Sequence, residues 1–127
     1  MNEPRIIYDH LEPGLLGQTD GQRYIWIDRR QSAASMRETL DHELAHFLHG
    51  DAGHQAPKVE ARIEAAVAQG IIHLEDLAWA AAWSEHVCVV AEELAVRPQT
   101  VELRLQLLTD EERDRLAERL AEAHWAD

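Results

Sequence analysis

His42 and His46 stand four residues apart in a segment whose apolar residues recur at helical spacing, and this combination constrains the fold more than any other feature. Positions four apart lie one above the other on the same face of an α-helix, so both imidazoles can bind one metal ion. The apolar residues between Ala34 and Leu48 form a separate stripe. The segment is therefore predicted to be a helix, capped by Ser32, that is buried on one side and lines a cleft on the other.

Glu43 follows His42 directly and completes the pattern His-Glu-x-x-His. Two neutral imidazole ligands, a position left open to water and an adjacent carboxylate are the parts that a zinc hydrolase site requires. In such a site the carboxylate takes a proton from water and later delivers it. The pattern predicts that His42 and His46 bind Zn²⁺ and that Glu43 is the catalytic base and then acid.

A second helix is predicted from Lys58 to about Gln69, and it offers the carboxylate that a two-histidine site still needs. Glu60 and Glu64 stand four apart on one face of this helix. Spacing alone does not choose between them. We predict Glu60 as the third ligand, with Glu64 as the acid that accepts the other ring N–H of a ligand histidine. Glu64 stays open as the alternative third ligand.

Two further histidines, His49 and His54, follow the motif closely enough to test a longer spacing, HExxHxxGxxH. The spacing fails, because Gly50 stands one position too late and His54 two positions too late. Both histidines are expected on a surface loop. His54 could still enter the cleft as a further ligand.

Short β-prone segments, Arg5–Tyr8 and Arg23–Asp28, occupy the first thirty residues, whereas the chain beyond Gly70 is wholly helical in pattern. We predict an α+β fold that is mostly helical, with a small N-terminal antiparallel sheet packed on the motif helix. Residues 1–73 are expected to form the core that carries the motif. Residues 74–127 are expected to form a helical subdomain packed on that core as one compact unit.

The C-terminal half contains, from Val90 to Val101, the apolar and small-residue spacing of a helix-turn-helix. Ala95 stands at the turn, where Gly is usual, and Arg104 is the only cation of the helix that would meet DNA. These features favour a packing module over a DNA reader. Trp79 and Trp83, one helical turn apart, are expected to fill the core between the helices.

The net charge of the chain limits the kinds of molecule that it is expected to bind. Acidic residues outnumber Lys and Arg by 24 to 12, which gives a formal charge of −12 and opposes direct binding to nucleic acid. The sequence contains no apolar run of about 18 residues, so no membrane-spanning helix is expected. The N-terminus lacks the layout of a signal peptide, and the single Cys88 cannot form an internal disulfide. We therefore expect a cytoplasmic protein.

The order of these features resembles the ImmA/IrrE family of metallopeptidases, in the compact form met in actinobacteria and their phages. The resemblance covers nearly the whole chain. It rests on the segments Tyr24-Ile25-Trp26-Ile27-Asp28, His42-Glu43-Leu44-Ala45-His46, Glu60-Ala61 and Glu64-Ala65, and on the trailing helix-turn-helix-like bundle. One difference is that Arg62 stands where the family usually has Asn.

This resemblance implies a small gluzincin-like core, in residues 1–73, with a sheet, an active-site helix and a following helix that supplies the glutamate ligand. It also implies that the chain cleaves a partner protein such as a transcriptional repressor.

The first functional hypothesis is therefore a zinc-dependent metalloendopeptidase. The alternative is a noncatalytic regulatory module of the same fold that acts by protein–protein contact, with its acidic surface meeting a basic partner. A DNA-binding regulator is the third and weakest hypothesis.

Overall fold

A computed structural model describes residues 3–126 of the chain. The fold is α+β and mostly helical, as the sequence predicts. The chain divides into two compact units, Met1–Val67 and Ala68–Asp127. The described residues form the strands β1 (Arg5–Asp9), β2 (Gly17–Thr19) and β3 (Tyr24–Asp28) and the helices α1 (Ala33–Leu48), α2 (Pro57–Ile71), α3 (Leu74–Trp83), α4 (Val87–Leu94), α5 (Pro98–Gln106) and α6 (Asp110–Ala126). None of these helices combines the length and the apolar character needed to cross a lipid bilayer.

The sheet is mixed, so the prediction of a purely antiparallel sheet is wrong. Its strand order is β1-β3-β2, in which β2 is antiparallel to β3 but β1 is parallel to β3. The reason is that the chain reverses direction twice between β1 and β3, once before β2 and once after it. Two reversals return the chain to its first direction. Strand β2 has only three residues, and neither this strand nor the second reversal is among the features predicted from the sequence.

The turn between β2 and β3 is fixed by Asp20. Its carboxylate accepts hydrogen bonds from the backbone N–H groups of Gln22, Arg23 and Tyr24 at 2.9–3.0 Å. The N–H of Gly53 donates to Thr19 O at 3.0 Å, which ties the loop after α1 to strand β2. This loop is thus held beside the sheet, where it can contribute to a site on α1.

Helix α1 begins as the sequence predicts. The side chain of Ser32 accepts a hydrogen bond from the N–H of Ser35 at 3.1 Å, so Ser32 is the N-cap. The apolar face of α1 packs on β3, where Ile25 and Ile27 form a buried cluster with Phe47. His42 and His46 lie on the other side of α1 from this cluster.

Strand β2 also approaches α1 closely, and Gly17 makes this approach possible. A Cβ atom at Gly17 would lie 2.5 Å from Cγ2 of Thr39 and 3.0 Å from Cγ of Glu43. No other residue type fits here without a shift of the strand or the helix. Edge strand β2 therefore lies directly over the motif glutamate.

The second unit is a small helical bundle. Its core residues come from the end of α2 and from α3 to α5, and they include Ile72, Leu77, Ala80, Val90, Ala91, Val96 and Val101. Ala95, at φ 55°, adopts the left-handed conformation between α4 and α5, as expected for the turn of a helix-turn-helix-like pair. A capping box begins α6, because Thr109 and Glu112 each accept the other's backbone N–H at 3.1 Å.

Arg104, the cation of α5, is buried. Its Nε donates to Ile72 O at 2.8 Å, and its Nη2 donates to Glu112 at 3.0 Å. The guanidinium group therefore stabilises the bundle and is not presented to a partner.

The prediction that Trp79 and Trp83 fill the core is wrong. Their side chains are 56% and 74% exposed, and their rings meet edge to face at 6.4 Å. Helix α3 buries Leu77, Ala78 and Ala80 instead. Trp79 lies roughly 200° around the helix axis from Leu77, because successive residues are about 100° apart. The small alanines are the residues that α3 packs against the bundle, and the two tryptophans face outward.

Candidate metal centre

Helix α1 holds His42 and His46 one turn apart on the face turned away from β3. Their ring centroids lie 4.9 Å apart with an angle of 63° between the planes. His46 is only 1% exposed, whereas the His42 side chain keeps partial access to solvent. One imidazole is thus fixed inside the protein, and the other reaches the solvent.

Glu60 reaches both imidazoles from helix α2. This helix starts with Pro57 at its first position, and Glu60 lies in its first turn. The Oε2 atom of Glu60 lies 2.6 Å from Nε2 of His46 and 3.3 Å from Nε2 of His42. Each of the three residues offers one ligand atom, and these atoms lie within 4.8 Å of one another. They form a group that can hold a metal ion.

The chemistry of this group fits a divalent cation. Two imidazole nitrogens and one carboxylate oxygen are a common ligand set for first-row transition metals. Among the residues that the structure describes, no Lys or Arg pairs with Glu60, and its carboxylate contacts three imidazoles and the backbone N–H of Gln55. A cation bound between the three side chains would neutralise the carboxylate.

Asp51 forms a hydrogen bond with Nδ1 of His46, a contact that is not predicted from the sequence. Its Oδ2 lies 3.1 Å from Nδ1 of His46. Gly50, at φ 74°, turns the chain back after α1, and the N–H of Asp51 donates to His46 O at 2.9 Å. The signal in the sequence is an acidic residue directly after the glycine that ends the motif helix.

Glu64, the predicted partner of a ligand histidine, is exposed one turn after Glu60. Among the contacts described for residues 3–123, neither His42 nor His46 donates a hydrogen bond to the carboxylate of Glu64. Its negative charge raises the pKa of His42, but this is a minor effect beside burial, which lowers the pKa of His42 below its usual value. In the structure it is Asp51, rather than Glu64, that hydrogen-bonds a histidine of the group.

The two histidines differ in their readiness to lose a proton. Burial lowers the pKa of His42 more than the attraction of Glu60 raises it, so the ring favours the neutral form that binds metals. Burial also acts to lower the pKa of His46, but hydrogen bonds to Asp51 and Glu60 outweigh it and raise the pKa. A bound metal ion would take the place of the proton between His46 and Glu60, because metal ligands bind deprotonated.

Glu43 lies beside this group with its side chain buried at 4% exposure. Burial raises the pKa of Glu43 above its usual value, although the nearby His46 and His54 lower it in part. Within the described part of the chain, no side chain or backbone group donates a hydrogen bond to its carboxylate. A buried carboxylate that is free of such bonds can accept a proton from one group and release it to another.

Of His49 and His54, only His54 contacts the group formed by His42, His46 and Glu60. His49 is an exposed residue at the C-terminal end of α1. The His54 side chain is 65% exposed, yet its Nδ1 lies 3.4 Å from Oε1 of Glu60. Both residues are on the surface as expected, and only His54 reaches the candidate site.

Comparison of the chain with protein-family models, with curated proteins and with solved structures finds no match.

Proposed function

We propose that the chain is a zinc-dependent metalloendopeptidase of the ImmA/IrrE type, with His42, His46 and Glu60 as the metal ligands and Glu43 as the catalytic residue. The observation that supports this most is the convergence of these three ligand side chains within 4.8 Å of one another, next to a buried carboxylate.

In this proposal each residue of the site has its own role in peptide hydrolysis. Zinc, when bound, lowers the pKa of a water molecule and polarises a peptide carbonyl. The carboxylate of Glu43 accepts the proton of the attacking water and transfers it to the amine that leaves. Asp51 orients the His46 ring by accepting its Nδ1–H, so that Nε2 faces Glu60. Burial lowers the pKa of His42 and so favours its neutral, metal-binding form.

A protein substrate is supported by the position of β2. The strand order leaves β2 at an edge of the sheet, and Gly17 brings this strand into contact with Glu43. An extended peptide can add to such an edge through backbone hydrogen bonds, here beside Thr19, whose carbonyl already accepts the N–H of Gly53. The resemblance to the ImmA/IrrE family further suggests a regulatory protein such as a repressor as the substrate. The lone, exposed Cys88 agrees with a reducing, cytoplasmic location.

The experiment that tests this function compares cells that express the wild-type chain with cells that express Glu43→Gln. New protein N-termini are identified by mass spectrometry. We expect new N-termini in the wild-type sample alone, because the variant keeps the ligands but has no base. Both purified proteins should contain the same amount of zinc. Identical N-termini in the two samples, with zinc present in both, would contradict a peptidase activity.

A second candidate function, a noncatalytic regulatory module, is favoured by the exposed pair Trp79 and Trp83. Exposed adjacent tryptophans are uncommon on a surface that has no partner. The sequence from residue 63 to residue 96 contains no Lys or Arg, so the partner would be basic. Under this hypothesis Trp79→Ala with Trp83→Ala abolishes function, and Glu43→Gln leaves it intact.

A DNA-binding regulator is supported least. Arg104, the cation that a recognition helix would use, is bonded within the bundle to Ile72 and Glu112. A role in DNA binding would require affinity that falls steeply with salt concentration.

A further inference from the structure

Three imidazoles, not two, converge on the carboxylate of Glu60. His42 and His46 approach its Oε2, at 3.3 and 2.6 Å, and His54 approaches its Oε1 through Nδ1 at 3.4 Å. His54 comes from the loop between α1 and α2 and approaches from the solvent side, where its side chain is 65% exposed. His54 therefore stands next to the group, outside the three residues whose ligand atoms lie within 4.8 Å of one another.

We propose that His54 is an exchangeable fourth protein ligand, which closes the metal centre formed by His42, His46 and Glu60 until a substrate displaces it. This inference rests on the metal centre of the proposed function. Zinc sites with four protein ligands are closed, whereas sites with three leave a position for water or substrate. One side chain that moves in and out of the fourth position would thus switch the centre between a latent and an open form.

The backbone on both sides of His54 holds it at the site. The N–H of Gly53 donates to Thr19 O at 3.0 Å, and the N–H of Gln55 donates to Oε1 of Glu60 at 3.4 Å. His54 stands between these two attachments, one to strand β2 and one to the ligand carboxylate itself. The charge of His54 also acts to lower the pKa of Glu43, although burial dominates and raises it. His54 therefore contacts Glu60 and lies near enough to Glu43 to influence its charge.

The contacts of His54 are also weak enough for exchange. His46 is 1% exposed and has both ring nitrogens within 3.1 Å of carboxylates. The ring of His54, in contrast, has a single contact at 3.4 Å among the described residues. Gly53, at φ 70°, precedes it, and a Cβ atom there would meet nothing within 4 Å. A rotation of the exposed His54 side chain would carry the ring away from Glu60 and leave both backbone hydrogen bonds in place.

The test is a titration with Co²⁺, which reports its coordination by visible absorption, in the wild-type chain, in His54→Ala and in the matched control His49→Ala. His49 is an exposed histidine of the same region that has no side-chain contact with Glu60 among the described residues. We expect His54→Ala to bind Co²⁺ about 10- to 100-fold more weakly, a range met even for residues that only support a ligand. Free imidazole should restore the wild-type spectrum in His54→Ala and leave His49→Ala unchanged.

Acetohydroxamate gives a second readout, because it needs a vacant position on the metal. We expect it to bind the Co²⁺ form of His54→Ala more tightly than the wild-type form, in which it must displace the imidazole. Equal Co²⁺ affinity, equal spectra and equal acetohydroxamate affinity in wild type and His54→Ala would overturn the role of His54 and leave the three-ligand centre intact. Failure of the folded wild-type chain to bind Co²⁺ at all would overturn the metal centre and this inference with it.

Discussion

Oδ2 of Asp51 lies within hydrogen-bond distance of Nδ1 of His46, at 3.1 Å. This contact determines which nitrogen of the buried ring points toward Glu60. A carboxylate accepts hydrogen bonds, so Nδ1 of His46 carries the proton in this pair. Nε2 of the same ring then points at Glu60, where a metal ion can bind it. The loop after α1 thus orients a ligand that the helix supplies.

Asp51→Ala is predicted to weaken zinc binding by about 10- to 100-fold, because the His46 ring loses the partner that fixes its orientation and tautomer. Isothermal titration with Zn²⁺ measures the change. Glu64→Ala serves as the control, since Glu64 is an exposed acid that influences the site only through its charge. Equal losses in the two variants would show that Asp51 acts only through its charge.

Glu60→Gln and Glu64→Gln form a matched pair on one face of α2. We expect Glu60→Gln to lose tightly bound zinc, because the amide oxygen has no charge to offer the metal. Glu64→Gln should keep the zinc of the wild type. Metal analysis of both purified variants decides between the two carboxylates, and the reverse result would make Glu64 the third ligand.

Gly17→Ala is predicted to destabilise the chain by about 1–3 kcal/mol, the usual cost of forcing an extra carbon into a packed contact. The new Cβ would meet Thr39 at 2.5 Å and Glu43 at 3.0 Å. Gly70→Ala is the control, because a Cβ atom there has open space and lies in a helix. This second change should stabilise by about 0.5–1 kcal/mol. Urea unfolding measures both, and a neutral Gly17→Ala would argue against the contact of β2 with α1.

The capping box of α6 gives a prediction on pH. The N–H of Thr109 and the guanidinium of Arg104 both donate to the carboxylate of Glu112 and lower its pKa. A carboxylate with a lowered folded-state pKa stabilises the fold above its unfolded pKa of about 4.5, and this contribution is lost as the pH falls through the folded value. Glu112→Gln should therefore melt below the wild type at pH 7, and the difference should shrink under acidic conditions. A difference that grows on acidification would contradict the pairing.

The sequence predicted the parts of the site that follow from helical periodicity. His42, Glu43 and His46 share a helix, and helix geometry alone determines their spacing. The choice of Glu60 needed a further assumption about how two helices pack. Asp51 was missed because its position depends on the backbone of a glycine-containing loop, which residue spacing does not describe.

The two errors in the fold also arise where the residue pattern does not specify the structure. The parallel pairing of β1 with β3 depends on a three-residue strand that carries no alternation of polar and apolar residues. Helix α3 is apolar on nearly every side, so its pattern could not tell which side is buried. Trp79 and Trp83 were assigned to the core by their size, whereas the alanines of α3 permit the closer packing.

The decisive measurement for the proposed metal centre is the zinc content of the purified chain, determined by mass spectrometry after equilibration with excess Zn²⁺ and removal of the unbound metal. We expect about one zinc ion per wild-type chain and per Glu43→Gln chain, and far less in His46→Ala, as a site with two histidines and one glutamate requires. A folded wild-type chain that retains no zinc, or that retains as much as His46→Ala, would show that these residues do not form a zinc site.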